Sequence, residues 1–356
     1  MKFNASALDR VMGCAGSYLL EQQYPYETNG AALEGRAAAK VAELCLLERK
    51  LPSEFLGQQI LDVWVDQEMI TAVEKYTAFC YSLNAERGGV EDRGELEVMS
   101  HTVVCIPDFW AVSGFTLHIV DFKYGHGWVF PEENWQCIAG AIIKATPGIR
   151  DVQIHICQPR ANRRSGGPVW SWGFNAELLR NYRNQIDNQV RLAVLPGALC
   201  QSGPWCRYCK HIINCPTNAH AAGDCMDAAG ISDSFTPTPN EVAIELSRLE
   251  TAAARIKHRF TALEAHGLAL IKSGQLLSGY EARQTMSALK WTVDAITAGD
   301  EMGIDLRKPE EAITPTQAID RKLIDATMID FMAKRELQGH KLKLVDLDAI
   351  RSIING

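Results

Sequence analysis

Two apolar runs joined at Ser113-Gly114 constrain this chain more than any other stretch: TVVCIPDFWAV (102–112) and FTLHIVDFKY (115–124). Both are rich in β-branched and aromatic residues, and the short glycine turn between them predicts an antiparallel hairpin. Each run carries acid where apolar residues would be expected, Asp108 after Pro107 and Asp121 two residues before Lys123. Alternate side chains of a strand share a face, so Asp121 and Lys123 project together while Phe122 turns away. Pairing the runs brings Asp108 beside Asp121. Two carboxylates and an ammonium at one sheet end can hold Mg²⁺ and a water against a phosphate.

A Pro-Asp followed by Asp-x-Lys also arises by chance, and an aspartate at a strand end is often a turn residue. The surroundings favour chemistry, because charge inside an apolar strand costs stability unless it is paired or metal-bound. Upstream, RGELEVMS (93–100) predicts a third strand with Glu95 and Glu97 on one face. Either glutamate is a candidate further metal ligand or a solubilising residue of an exposed edge.

The 356 residues allow one large domain with an extension, or two domains. A first domain fits residues 1–228, and the shift to Asp, Gly, Ser, Thr and Pro at 224–239 marks a boundary before a helical extension, 229–356. No apolar run approaches the roughly 18 residues of a membrane span, and the start, MKFNASALDR, has no signal core. Eleven scattered cysteines suit a reducing cytoplasm better than a disulfide framework. The net charge of −7 argues against a protein that coats nucleic acid non-specifically but allows an enzyme with a local basic groove. Arg160, Arg163 and Arg164 are candidate phosphate contacts, although any single one of them is read first as a solvated surface charge.

Periodicity predicts helices at 31–48, 57–83, from Pro131 to about Ala145, and 176–194, with strands at 151–158 and 168–174. Ser6-x-x-Asp9 predicts a capping box on a first helix, and Thr314-Pro315-Thr316-Gln317 another on a late one. The order of elements is that of a mixed α/β core. Behind Thr238-Pro239, residues Val242, Leu246, Leu249, Ala253, Ile256, Phe260 and Leu263 follow a heptad stripe. Such a stripe packs on another helix, with a partner from the same chain expected ahead of one from a second subunit.

PWCRYCKHIINCP sets Cys206, Cys209 and Cys215 at C-x₂-C-x₅-C spacing, suited to wrapping one metal centre. The fourth ligand is open from sequence: Cys200 or Cys225 nearby would make a structural zinc site, and Cys14 would staple the first helix to the end of the core.

Together these features resemble the RecB-like nucleases of the PD-(D/E)XK superfamily, in the iron–sulfur-stapled branch that includes the AddB nuclease domain. The resemblance covers roughly residues 5–220, and the whole chain looks most like compact stand-alone phage exonucleases. It implies a restriction-endonuclease-like core, with Asp108 and Asp121 as metal-binding acids and Lys123 as the catalytic lysine. It further implies that the Phe122 carbonyl lies on the metal and Gln136 at the substrate. Cys14, Cys206, Cys209 and Cys215 would hold a 4Fe-4S cluster. The implied activity is Mg²⁺- or Mn²⁺-dependent hydrolysis of DNA from an end, for phage recombination or replication in a host cytoplasm. A single-strand-binding or annealing protein, or further copies of the chain, would be partners. The sequence departs from that pattern twice. Ala38 and Ala39 stand where a histidine ligand is common, with Glu43 one turn on, and Gly140 stands where a tyrosine is usual. Competing readings are a DNA-binding accessory whose site has decayed and a zinc-stabilised interaction module.

Overall fold

The structure is a computed structural model. It describes residues 1–24, 30–161, 167–229, 239–286, 290–291, 295–308, 311–312, 314–320, 322–324, 328, 332–334 and 337–344. Its contacts divide the chain into Met1–Ile256 and Lys257–Gly356, a division that falls inside one long helix.

The first unit opens with β1 (Lys2–Asn4), α1 (Leu8–Gly13), α2 (Ser17–Glu21) and α3 (Gly30–Glu48). The expected capping box is not made, since α1 begins after Ala7 with no side-chain cap. Asp9 Oδ1 instead accepts the backbone N–H of Trp135, at the head of a later helix. The single helix expected over 57–83 is a short hairpin, β2 (Gln59–Ile60) and β3 (Val63–Trp64), followed by α4 (Gln67–Ser82). Asp66 caps α4 by accepting the Met69 N–H at 2.8 Å, which fixes its start.

Five strands follow: β4 (Arg87–Val90), β5 (Gly94–Val98), β6 (His101–Cys105), β7 (Phe109–Ser113) and β8 (Thr116–Phe122). The hairpin forms as expected, with Ser113 opposite Thr116 and Gly114 at φ 59° in the first turn position, where a two-residue turn favours glycine. The run 102–112, however, is two strands. β6 joins β1 and β5 in a three-stranded sheet, and β7 joins a five-stranded sheet. Proline cannot donate to a ladder, and the chain changes sheets at Ile106-Pro107-Asp108.

After β8 come α5 (Trp135–Lys144), β9 (Asp151–Cys157), β10 (Val169–Asn175) and α6 (Ala176–Ala193). α5 begins four residues later than Pro131 because Asn134 caps it, accepting the Cys137 N–H. The larger sheet has the order β10-β9-β8-β7-β4, with β8 and β9 parallel and the other pairs antiparallel. This is a mixed α/β fold with a central mixed sheet between helices. One core holds Leu117, Ile119, Ile154 and Ile156 with residues of α5 and α6. The other holds Val120 and Phe122 with α3 and α4, where Ala37, Ala38, Val41 and Val73 are buried.

α7 (Pro216–Ala229) and α8 (Pro239–Lys272) follow. The Thr238 cap lies outside the described residues. In α8 the heptad residues Leu246, Leu249, Phe260 and Leu263 are exposed. In the second unit Tyr280–Met286 pairs antiparallel with Leu337–Leu344. The late capping box forms reciprocally there: Gln317 N–H donates to Thr314 Oγ1 and Thr314 N–H to Gln317 Oε1. No helix among the described residues is long and apolar enough to cross a membrane.

Candidate active site and cysteine pocket

Asp108 sits at the sheet-to-sheet corner and Asp121 at the end of β8. The Asp108 Oδ2 accepts the Phe122 backbone N–H at 2.6 Å, which anchors one acid on the peptide following the other. Asp121 is buried and faces α5. Its Oδ1 accepts from Lys123 Nζ at 2.9 Å and from Gln136 Nε2 at 3.1 Å. Its Oδ2 has the ammonium 2.7 Å away as an ion pair but no aligned hydrogen bond, leaving a buried carboxylate oxygen short of a partner. Asp108, Asp121, Lys123 and Gln136 are therefore brought together. Phe122 turns to the other face and stacks on Tyr76.

Burial, then the charge of Asp121, pushes the Asp108 carboxyl up to about 8. Burial pulls the Lys123 ammonium down, but Asp121 and Asp108 outweigh it and the net shift is upward.

Glu95 and Glu97 are not brought to this pair. They lie exposed on β5 in the smaller sheet, where Glu95 pairs with Arg93 and Lys2 and Glu97 accepts from Thr102. The acid the sequence reading missed is Glu91. It follows β4 in a left-handed conformation, φ 48°, and its N–H donates to the Asp108 carbonyl at 3.2 Å. Burial, then Glu43 and Asp121, raises its pKa to about 7, against Lys40. Glu91 thus follows β4, Asp108 precedes β7 and Asp121 lies near the end of β8, three neighbouring strands of the larger sheet. The one available signal was the β4–β7 pairing, which alternation alone does not reveal.

The two positions that depart from the resembled nuclease pattern are both tightly packed. Ala38 is fully buried among small residues of α3. At Gly140 a Cβ would lie 3.2 Å from Pro107 Cγ and 3.5 Å from Cys105 Sγ, so α5 closes on the Asp108 corner with no room for a larger side chain. Arg160 is engaged by Glu68 at 2.7 Å and Glu34 at 3.2 Å and lies over the Tyr124 ring. Arg163 and Arg164 lie outside the described residues.

Cys14, Cys200, Cys206, Cys209 and Cys215 line one narrow pocket with Arg10, His211 and Asn218. Gly16 permits this, since its N–H bonds the Leu199 carbonyl and a Cβ would meet Ala198 O at 2.6 Å and Cys200 Sγ at 2.8 Å. Backbone N–H groups of Gln201 and Gly203 point at the sulfurs of Cys14 and Cys206. Burial, with Cys14 and Cys215 close by, pushes the Cys200 thiol up to about 12. Cys225 does not line the pocket.

Among the described residues no three His, Cys, Asp or Glu side chains form a ready-made cage for a metal ion. The acidic corner nevertheless suits a hard cation that keeps its own waters: Mg²⁺ takes one or two carboxylates, and Asp108 and Asp121 supply two. The pocket offers sulfur donors, which suit zinc or an iron–sulfur cluster.

Two solved structures share limited similarity with the chain. One, from Eubacterium rectale and named a "Putative exonuclease", is 12% identical, with a TM-score of 0.33 over 54% of this chain and 80% of its own. The other, named SSO0001, is 11% identical, with a TM-score of 0.27 over 59% of this chain and 96% of its own. A family model matches residues 2–340, and the chain belongs to that family, the Protein of unknown function (DUF2800).

Proposed function

We propose that this chain is a divalent-metal-dependent DNA exonuclease with a RecB-like PD-(D/E)XK core. The observation that carries the reading is the convergence of Asp108, Asp121, Lys123 and Gln136 at one sheet end. Asp108 and Asp121 would hold Mg²⁺ or Mn²⁺, with the Phe122 carbonyl as a third oxygen by resemblance. When bound, the ion polarises the scissile phosphate and lowers the pKa of a water. Lys123 offsets charge that develops on the phosphate as the bond breaks, and its contact with Asp121 keeps it in position. Gln136 holds Asp121 in orientation from the α5 side. Cys14, Cys206, Cys209 and Cys215 would hold a structural 4Fe-4S cluster that ties the N-terminal helices to the segment after α6, with zinc as the alternative metal.

Asp121→Ala protein should lose Mg²⁺-dependent degradation of end-labelled linear DNA while its circular dichroism melt stays cooperative. Full activity in that variant overturns the reading. Circular DNA left intact beside degraded linear DNA marks an exonuclease. The buried Ala38, in place of an imidazole, favours a second reading, a DNA-binding accessory with a decayed site. Wild-type protein inactive across a Mg²⁺ and Mn²⁺ titration, yet bound to DNA, would select it.

A further inference from the structure

The loop between Lys123 and the helix carrying Gln136 exposes large aromatics. Trp128 is 54% and Phe130 51% exposed. Their rings cluster with Trp170 of β10: Phe130 to Trp170 at 4.9 Å, Trp128 to Trp170 at 6.2 Å and Trp128 to Phe130 at 6.4 Å. Leaving such a cluster in water is costly, and nothing in the folding of the loop requires it.

The loop is also built rather than slack. Gln158, buried at the end of β9, donates through Nε2 to the carbonyls of Gly125 at 2.8 Å and Gly127 at 2.5 Å. Its Oε1 accepts the Val129 N–H at 3.2 Å. One buried amide thus fixes the backbone on both sides of Trp128. The cluster's position relative to the acids follows from strand register. Asp121 aligns with Ile156, and Ile156 with Trp170, so Trp170 lies in the same cross-strand row as Asp121, on the same face. Two strand spacings put it about 10 Å from the acid.

We propose that Trp128, Phe130 and Trp170 form a stacking platform for unpaired nucleobases of the strand whose phosphodiester is cut. This rests on the nuclease reading and adds its substrate class, single-stranded DNA or a frayed end. Every base presents a π-face, so such a platform grips a strand without reading its sequence. Paired bases inside a duplex have their faces covered and do not reach it. A protein partner is the competing occupant; continuity of the loop with Lys123 and Gln136 favours the strand.

The test measures binding of the full chain to a fluorescein-labelled single strand of about 12 nucleotides in EDTA, where hydrolysis is blocked. Trp128→Ala and Phe130→Ala should each weaken binding about tenfold. Trp128→Phe should recover most of the loss. An abasic strand of equal length should bind wild type and Trp128→Ala alike, because charge is unchanged and no base is present to stack. Equal affinity of wild type and both alanine variants for the normal strand overturns the proposal, as does an equal loss on the abasic strand. Base-dependent binding by a wild type that hydrolyses nothing with Mg²⁺ or Mn²⁺ removes the nuclease reading alone. Hydrolysis with unchanged strand affinity in Trp128→Ala removes the platform alone and leaves the patch to a protein.

Discussion

Asp108 reaches across the corner between two sheets to take the amide of Phe122, the residue directly after the second acid. The bond keeps two carboxylates together that repel each other while both are charged, and the pH behaviour of the protein should show it. The folded Asp108 value of about 8 lies above the roughly 3.9 of an unfolded aspartate. The folded state therefore binds this proton more tightly, and its contribution to stability is lost as pH rises through that interval. In EDTA the melting temperature should fall from about pH 5 toward pH 8, with Asp108→Asn flattening the slope. A melting temperature that rises with pH over that window in wild type, with the same slope in Asp108→Asn, contradicts the assignment.

Lys123 is the nearest cation to Asp121 Oδ2. Lys123→Ala leaves the carboxylate with Gln136 as its remaining side-chain donor, at a cost of about 2 kcal/mol once the lysine's partial exposure is discounted. Hydrolysis should drop about 100-fold or more. Urea unfolding and end-labelled DNA assays measure the two effects, and added Mg²⁺ should recover part of the lost stability.

Placing at position 140 the tyrosine that the nuclease resemblance leads one to expect should do harm. Gly140→Tyr drives a ring into Pro107 and Cys105 and should cost about 2–3 kcal/mol by overpacking. Thermal melts decide this; an unchanged melt with tighter DNA binding would show that the corner yields.

Anaerobically purified protein should be brown and absorb near ~400 nm. Cys14→Ser and Cys206→Ser should each abolish the colour, whereas Cys225→Ser, outside the pocket, should keep it. Colourless protein with one equivalent of zinc would replace the cluster by a zinc site.

The hairpin, the acid pair with its lysine, and the Cys206, Cys209 and Cys215 triplet were legible because each rests on local spacing, whereas Cys14 and Cys200 reach the pocket through the tertiary fold. Alternation places Asp121 with Lys123, and a Gly turn places the strands. What sequence did not reveal depends on which sheet a strand joins. Glu95 and Glu97 alternate as expected yet lie on the smaller sheet, while Glu91 reaches the site through a left-handed residue and a cross-strand bond. Helical periodicity over 57–83 missed the hairpin because Leu61 and Asp62 adopt positive φ there, which propensity does not report. Asp9 was expected in a capping box on its own helix and instead accepts the first N–H of α5, beside the Asn134 cap, a choice made by tertiary packing.

The three residues between β6 and β7 carry a further consequence. Both flanking strands are held in register by neighbours, β6 by β5 and β7 by β8. An inserted or deleted residue in that connector could not be absorbed by sliding either one. Asp108 would be displaced from the Phe122 amide while both ladders stayed whole, so connector length acts as a ruler for the chemistry, independent of how stably the protein folds.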